Sequence, residues 1–204
     1  AEVIKKINRS GYLALIITNQ SVIARGLTTL DGLNEIHKKL ETELGAEGAF
    51  LDGIYFCPHH PHGGFEGEIK EFKVECNCRK PKPGMLLKAA ERFNIDLENS
   101  WMIGDSERDA LAGKAAGCKT IGVKTGHGLK SAKFFPDYFM GNMQEAVDFI
   151  LDKPLDNQMA KIYDAFAKST KRPFVISVGG NSRSGKSTLA KHIEHTFEAN
   201  GQKA

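Results

Sequence analysis

Residues 13–21 read Leu-Ala-Leu-Ile-Ile-Thr-Asn-Gln-Ser, a short apolar run that passes directly into four polar side chains. The uninterrupted run Leu13–Ile17 predicts a β-strand that is buried on both faces. Polar residues at the carboxyl end of such a strand lie where open α/β sheets hold their ligands. The stretch therefore predicts an α/β fold and one part of a functional site, at residues 18–21.

Strand-like and helix-like segments alternate along the rest of the chain, which predicts a parallel sheet. Further strands are predicted at 53–56, 101–103 and 120–123. Apolar residues at helical spacing predict helices at 1–9, 28–44, 85–93, 107–117 and 143–151. In the helix at 28–44 the apolar residues form one stripe, at Leu30, Leu33, Ile36, Leu40 and Leu44.

A domain boundary is expected at Lys153-Pro154. Residues 1–152 would then form one α/β domain, and residues 153–173 a linker with a helix at 157–169. Residues 174–204 would begin a second α/β domain, with a strand at 174–178 and a helix at 185–199.

Composition excludes several classes of protein. Hydrophobic residues make up 41% of the 204, so a packed core is expected. The formal net charge of +3 is too small to indicate nucleic acid or an anionic membrane as a partner, and neither is expected. No apolar run approaches the roughly 20 residues of a membrane span, and no signal-peptide pattern opens the sequence. A cytoplasmic protein is predicted.

Three of the four cysteines lie within 22 residues of one another, beside three histidines. Cys57-x-His59 and Cys76-x-Cys78 are two short ligand pairs, and three thiolates with one imidazole form the closed shell of a structural zinc site. His59 is preferred over the other two histidines because one spacer residue lets both members of a pair reach one metal. The alternative is a set of buried free thiols beside surface histidines.

Two cations, Arg79 and Lys80, follow the last of these cysteines directly, and Pro81 and Pro83 stiffen the chain after them. Rigid placement of two cations is useful where a cation must meet a phosphoryl oxygen. The alternative is a pair of ordinary surface cations.

Asp105 follows the strand predicted at 101–103 and a glycine, and Asp109 lies one helical turn later. Two carboxylates in this position suit a Mg²⁺ ligand and a residue that supports it. The alternative for Asp105 is a helix N-cap. For Thr18, at the end of the first strand, the alternative to a phosphate-binding hydroxyl is a turn residue.

The second predicted domain contains Gly180-x-x-x-x-Gly185-Lys186-Ser187 between a predicted strand and a predicted helix. This context is the one in which the pattern indicates a P-loop. Backbone N–H groups of Gly180 to Gly185 would cradle phosphates, Lys186 would reach the terminal phosphates and Ser187 would hold Mg²⁺. ATP is therefore predicted as a nucleotide partner.

Several motifs together resemble the D-glycero-D-manno-heptose-1,7-bisphosphate phosphatases, which are Mg²⁺-dependent phosphohydrolases of the haloacid dehalogenase superfamily. They are Thr18-Asn19-Gln20-Ser21, Ala24-Arg25-Gly26, Cys57-Pro-His59, Cys76-x-Cys78-Arg79-Lys80-Pro-x-Pro-Gly84-Met85 and Gly104-Asp105-x-x-x-Asp109. The resemblance covers about residues 1–150 and implies a Rossmann-like parallel sheet.

The resemblance also implies a role for each site residue. Thr18 and Lys80 would stabilise the transferring phosphoryl group, and Asp105 would hold Mg²⁺. A sugar phosphate would be contacted by Asn19, Gln20, Ser21 and Arg79. Structural zinc would be held by Cys57, His59, Cys76 and Cys78.

One departure from the family stands out. The family's nucleophile is the first aspartate of an Asp-x-Asp motif at the end of the first strand, and no such motif precedes Thr18. Without that aspartate no aspartyl-phosphate can form. The expectation is a fragment that lacks the first, central strand, folds poorly and is inactive alone.

Residues 174–204 resemble the beginning of a nucleoside or uridine kinase-like domain. The whole is therefore interpreted as a sugar-bisphosphate phosphatase fused to an ATP-dependent kinase. A histidinol-phosphate phosphatase is one alternative, and the segment 21–26 favours the heptose enzymes over it. The others are a polynucleotide 3′-phosphatase/5′-kinase and a zinc-stabilised module that binds phosphorylated ligands without catalysis.

Overall fold

The structure is a computed structural model that describes residues 1–127 and 136–152. The chain divides into two compact units, Ala1–Val147 and Asp148–Ala204. Within the second unit only residues 148–152, the end of a helix, are described. The predicted linker helix, the strand at 174–178 and the P-loop lie outside the described residues.

Helices and strands alternate through the described part of the first unit, as the sequence predicts. In chain order they are α1 (Glu2–Asn8), β1 (Leu15–Asn19), α2 (Leu30–Ala46), β2 (Gly53–Cys57), a 3₁₀ turn (Lys70–Phe72), α3 (Gly84–Phe93), β3 (Trp101–Gly104), α4 (Glu107–Ala116), β4 (Lys119–Val123), β5 (Tyr138–Met140) and α5 (Met143–Asp152).

The strands form two parallel sheets, which confirms the predicted α/β class with parallel pairing. In the first sheet β1 pairs with β2, and Ile17 lies opposite Tyr55. In the second sheet the order is β3-β4-β5, and Ile103 lies opposite Ile121. Among the described residues no backbone ladder joins β1 to β3.

The first strand differs from its prediction in position and in burial. It starts at Leu15 and runs through Asn19, and all five of its residues are only half-buried. The physical reason is that β1 has a hydrogen-bonded neighbour on one side only among the described residues. Thr18 lies inside this strand, so the interpretation of Thr18 as a turn residue is wrong.

Two apolar clusters form the core around the sheets. One contains Tyr55 and Cys57 of β2 with Met85 and Ala89 of α3. The other contains Met102 of β3, Ala116 at the end of α4 and Cys118, which lies between α4 and β4. Ile17 of β1 packs against both clusters. Side chains therefore connect the two sheets where backbone hydrogen bonds do not.

Helix α2 begins at an N-cap, Thr29, whose hydroxyl accepts a hydrogen bond from the Gly32 backbone N–H at 3.1 Å. Its apolar stripe is covered only in part, since Leu33 is buried, Leu40 and Leu44 are half-buried and Ile36 is 59% exposed. Helical spacing shows which residues share a face, but it does not show how much of that face a neighbour covers.

Strand β5 was not predicted, because three residues are too short for an alternating pattern to be visible. Asp137, the residue before it, anchors it to β4. The Asp137 carboxylate accepts hydrogen bonds from the backbone N–H and the hydroxyl of Thr120, both at 2.9 Å. Lys114 of α4 forms an ion pair with the same carboxylate.

Throughout the described part of the chain, no helix has the length and the apolar content that a bilayer span requires.

Candidate active site

The four predicted metal ligands converge at the carboxyl end of β2. One ligand atom from each of Cys57, His59, Cys76 and Cys78 lies within 4.8 Å of the other three. The Cys78 sulfur is 3.2 Å from the Cys57 sulfur and 3.3 Å from Nδ1 of His59. This donor set has the composition and spacing of a closed, four-coordinate site.

The three thiols differ in their electrostatics, since the pKa is raised at Cys57 and Cys78 and lowered at Cys76. Burial, together with the hydrogen bond to Cys78, raises the pKa of the Cys57 thiol well above its usual range. Thiols in such a place stay protonated unless a positive charge stabilises their thiolates. The neighbouring His60 is turned away from the cluster, with Nδ1 3.0 Å from the carbonyl oxygen of His62.

The segment between the two ligand pairs, residues 60–75, is defined here as the metal loop, and it folds back onto the turn after β1. The Ile69 N–H donates to the carbonyl of Ala24 at 3.0 Å. Inside the loop, the Glu68 carboxylate accepts from the backbone N–H groups of Gly64 and Phe65 and pairs with Lys73. The loop is therefore ordered by its own hydrogen bonds as well as by the four ligands.

Arg79 is attached to the same cluster through its guanidinium. Its Nη1 donates to the backbone carbonyl of His59 at 2.9 Å. The orientation of Arg79 therefore depends on the conformation of the ligand-bearing segment. Its predicted contact with substrate stays a prediction.

Lys80 is fixed by the polar end of β1. Its backbone N–H donates to Oδ1 of Asn19 at 3.0 Å, and Nδ2 of Asn19 donates to its carbonyl at 3.1 Å. The Asn19 side-chain amide therefore accepts one hydrogen bond from the Lys80 backbone and donates another to it. The Asn19 amide therefore positions Lys80, and the predicted contact of Asn19 with substrate stays a prediction.

The Lys80 ammonium lies where the two sheets come together. It donates to the carbonyl oxygen of Ile17 at 2.6 Å and forms an ion pair with Oδ1 of Asp109 at 2.6 Å. The β1–β2 pairing uses the backbone of Ala14 and Gln20. Because backbone groups alternate between the two edges of a strand, the Ile17 carbonyl faces the opposite edge. Lys80 therefore covers that edge of β1.

The Asp109 carboxylate contacts Lys80 and the first turn of its own helix rather than Asp105. Its Oδ2 accepts hydrogen bonds from the backbone N–H and the hydroxyl of Ser106, at 3.0 and 2.6 Å. Ser106 is thus the N-cap of α4, in a capping box. The N-cap interpretation of Asp105 is therefore wrong, and the support that Asp109 gives is directed to Lys80.

Asp105 lies at the end of β3, with its side chain about one third exposed. Its Oδ2 accepts hydrogen bonds from the backbone N–H of His127 at 2.8 Å and from the ring Nδ1 at 3.0 Å. Burial alone would raise the pKa of Asp105, but these hydrogen bonds outweigh it and hold the pKa below its usual value. The carboxylate is therefore ionised and available to a cation.

His127 was not predicted as a partner of Asp105. The loop after β4 brings it there through Gly126, which has a φ of +69° and lies so close that a Cβ atom would be 2.0 Å from Oδ2 of Asp105. The adjacent strand order of β3 and β4 is the signal that could have revealed this contact, since parallel neighbours end at the same edge.

The remaining polar residues after β1 lie close to Thr18. Nε2 of Gln20 is 3.4 Å from the Thr18 hydroxyl. The Ser21 carbonyl accepts the backbone N–H of Arg25 at 3.1 Å and so closes a turn. The predicted nucleotide-binding residues Gly180, Gly185, Lys186 and Ser187 are outside the described residues.

The chain is similar to several known proteins. A family model described as HAD-hyrolase-like matches residues 77–146. A D-glycero-beta-D-manno-heptose-1,7-bisphosphate 7-phosphatase of Salmonella typhi is 34% identical over 171 residues, which cover 83% of this chain and 81% of the relative. The relative of the same name from Pasteurella multocida is 46% identical over 126 residues, and the match spans 61% of this chain and 66% of that protein's length.

A solved structure is also similar. The D,D-heptose 1,7-bisphosphate phosphatase of B. bronchiseptica, complexed with magnesium and phosphate, matches with a TM-score of 0.62 at 31% identity. The match covers 74% of this chain and 81% of that chain. On its sequence and its fold, the chain belongs to the family of the D-glycero-beta-D-manno-heptose-1,7-bisphosphate 7-phosphatases, which are hydrolases of the haloacid dehalogenase type.

Proposed function

We propose that residues 1–152 are the phosphatase domain of a Mg²⁺-dependent enzyme. Its substrate would be a sugar bisphosphate of the D-glycero-D-manno-heptose 1,7-bisphosphate type, from which it removes one phosphate. The observation that carries this proposal is the position of the Lys80 ammonium, 2.6 Å from both the Ile17 carbonyl and Asp109. The Lys80 side chain is only 12% exposed, and the carbonyl that it binds belongs to the residue before Thr18.

Lys80 suits a transferring phosphoryl group because one of its protons is still unused. An ammonium group has three N–H donors, and the contacts with Ile17 and Asp109 use two. The third could donate to a phosphoryl oxygen, and the Thr18 hydroxyl is proposed as a second donor. Donors that are already in place stabilise developing charge without reorganising during the reaction.

Asp105 would hold the Mg²⁺ ion. It is an ionised carboxylate directly after β3 whose Oδ2 accepts from His127, and its Oδ1 would bind the ion. Mg²⁺ binds few protein carboxylates and keeps room for phosphate oxygens. When bound, the ion supplies positive charge to the phosphoryl oxygens. The magnesium in the similar B. bronchiseptica structure supports this assignment.

Zinc would be held by Cys57, His59, Cys76 and Cys78 as a structural ion. All four positions of a tetrahedral ion would be filled by protein, so this metal would not activate water. Its effect would be to fix the metal loop and, through the His59 carbonyl, the guanidinium of Arg79. Thiols kept reduced for zinc fit a cytoplasmic location.

The 204-residue chain is proposed to be inactive by itself. The family's Asp-x-Asp motif does not precede Thr18, and both oxygens of Asp109 are already engaged. Asp109 is therefore not free to serve as the nucleophile that a covalent phosphoryl intermediate requires.

A second function, ATP-dependent phosphoryl transfer, is proposed for the C-terminal segment. The motif from Gly180 to Ser187 is its support. ATP would be the nucleotide partner, with Lys186 and Ser187 at its phosphates and Mg²⁺. ATP binding that survives the substitution Lys186→Ala unchanged would contradict this proposal.

The phosphatase proposal is tested by ligand binding to the zinc-loaded chain, with and without Mg²⁺. We expect heptose 1,7-bisphosphate to bind in preference to histidinol phosphate and to 3′-phosphorylated DNA. Lys80→Ala and Asp105→Asn should each weaken binding about ten-fold or more, because each removes a charged partner. Lys82→Ala is the matched control, since Lys82 pairs with the exposed Glu75 at 3.1 Å.

Two outcomes would contradict the proposal. Preference for histidinol phosphate or DNA would reject the heptose-type substrate. Sustained Mg²⁺-dependent phosphate release by the purified chain would reject the proposal that the chain is inactive alone.

A further inference from the structure

Arg25 carries a charge that nothing in the described part of the chain neutralises. It lies in the turn after β1 and is half-buried. Its Nε is buried and has no hydrogen-bond partner. A buried N–H donor without an acceptor is unfavourable, and a charged one more so.

The position of Arg25 is fixed from both sides. Its Cζ lies 4.4 Å from the centroid of the Phe65 ring, in the metal loop. The next residue, Gly26, has a φ of +69°, and a Cβ atom there would lie 2.0 Å from the carbonyl oxygen of Gly67. The backbone contact between Ala24 and Ile69 holds the same two segments together. These backbone contacts therefore hold Arg25 and Phe65 close enough to stack.

Stacking on an aromatic ring satisfies only part of what a guanidinium requires. The ring attracts the positive charge through its face. The N–H donors of the guanidinium lie in its plane, and they still require acceptors. A planar fork of donors that is positioned in advance, and whose Nε has no acceptor among the described residues, is suited to an anion from outside the protein.

Arg25 lies close to the end of β1 that carries Thr18. Its backbone N–H donates to Ser21, three residues beyond Thr18. The two other cations of the site are already in use, because Lys80 pairs with Asp109 and Arg79 donates to the His59 carbonyl. Among the three side chains, that of Arg25 alone has no hydrogen-bonded or charged partner in the described residues.

We propose that Arg25, stacked on Phe65, forms a second anion subsite that binds the phosphate that is not hydrolysed. This inference rests on the proposed function, in which the substrate carries two phosphates. A phosphate dianion offers paired oxygens that a guanidinium binds with two parallel hydrogen bonds. The subsite would thereby distinguish a sugar bisphosphate from a sugar monophosphate.

The test compares the affinities of two probes by calorimetry, with the zinc-loaded chain in Mg²⁺. One probe is heptose 1,7-bisphosphate, and the other is heptose 7-phosphate, which lacks the second phosphate. In Arg25→Gln we expect bisphosphate affinity to fall about ten-fold or more, as for loss of a charge-assisted hydrogen bond. The affinity for the monophosphate should not change.

Two further variants keep the result interpretable. Arg92→Gln is the matched control, because Arg92 also stacks on a phenylalanine, Phe93, with its Cζ 5.3 Å from the ring centroid. It should leave both affinities unchanged. If Arg25→Gln fails to fold by circular dichroism, Arg25→Lys decides, because lysine keeps the charge but not the planar fork. It should lose about three-fold in bisphosphate affinity.

Each remaining outcome overturns the proposal. If Arg25→Gln, or Arg25→Lys in its place, keeps the ratio of the two affinities, the stacking on Phe65 is packing only. If the wild-type chain binds the monophosphate but gains nothing from the second phosphate, the subsite does not exist while the proposed function stands. If neither probe binds the wild-type chain, the proposed function fails and the subsite fails with it.

Discussion

The two halves of the first unit are held together by different means. In the β1–β2 half, no residue of β1 is buried, and the order comes from the metal-ligand cluster and from side-chain contacts to Lys80. In the β3–β4–β5 half, four of the five residues of β4 are buried, and α4 begins with a complete capping box. The first half therefore relies more on polar contacts and on the proposed metal site, beside the packing of Tyr55 and Cys57 on α3, and the second relies on packing.

Metal removal is expected to produce the largest difference in stability between the two halves. A chelator, or Cys57→Ser, should destabilise the β1–β2 half by several kcal/mol, because the binding free energy of a structural zinc ion contributes to folding. Hydrogen exchange should then report faster exchange in β1 and β2 than in β4. Cys118→Ser is the control, since Cys118 is a buried free thiol outside the cluster. Equal loss of protection in both halves would contradict the comparison.

The next largest effect is expected from Gly126→Ala. The new Cβ would lie 2.0 Å from Oδ2 of Asp105 and would also adopt a φ of +69°. The Asp105 carboxylate must move, so Mg²⁺ affinity should fall about ten-fold or more, as when a buried charged contact is lost. Gly117→Ala is the matched control, since Gly117 has a φ of +89° but no atom near its Cβ position. If both variants lose Mg²⁺ affinity equally, backbone strain and not the contact with Asp105 is responsible.

A smaller effect is expected from Asn19→Ala, which removes the two hydrogen bonds to the Lys80 backbone. The loss should be about 2 kcal/mol in the free energy of unfolding, measured by urea titration. Phosphate affinity should fall with it, since Lys80 loses its support. Gln20→Ala, whose side chain makes one long contact of 3.4 Å to Thr18, should cost less. If Asn19→Ala leaves phosphate affinity unchanged, Asn19 does not position Lys80.

The smallest effect is expected from Asp137 in the β3–β4–β5 half, where the contribution to stability depends on pH. Burial alone would raise the pKa of Asp137, but hydrogen bonds from Lys114 and Thr120 outweigh it and lower the pKa. A lowered carboxylate pKa contributes stability above the unfolded value and loses it as the pH falls below about 4. Asp137→Asn should lower the free energy of unfolding by about 1 kcal/mol at pH 7 and by less at pH 3. A constant difference between pH 7 and pH 3 would contradict this.

Patterns within one segment were predicted well, and contacts between segments less well. Alternating strands and helices identified the parallel α/β fold, because apolar periodicity is a local property. The paired spacing of Cys57 with His59 and of Cys76 with Cys78 identified four residues that the fold brings together. Both signals need only neighbouring residues to be read correctly.

What escaped prediction depends on residues far apart in the sequence. The burial of β1 depends on which strands flank it, and the apolar run Leu13–Ile17 contains no information about that. Asn19 contacts Lys80 across 61 residues, and Asp105 contacts His127 across 22. Asp109 was predicted to support a metal ligand, but the capping serine beside it and Lys80 determine its contacts.

The edge of β1 that faces away from β2 has a consequence for how the protein behaves in concentrated solution. No described strand pairs with this edge, and an unpaired strand edge is a template for intermolecular pairing. The Ile17 carbonyl on that edge is covered by the Lys80 ammonium, and a lysine at an edge discourages such pairing. The same cation that is proposed to meet a phosphate would therefore also oppose self-association, and its removal should make the chain more prone to aggregate.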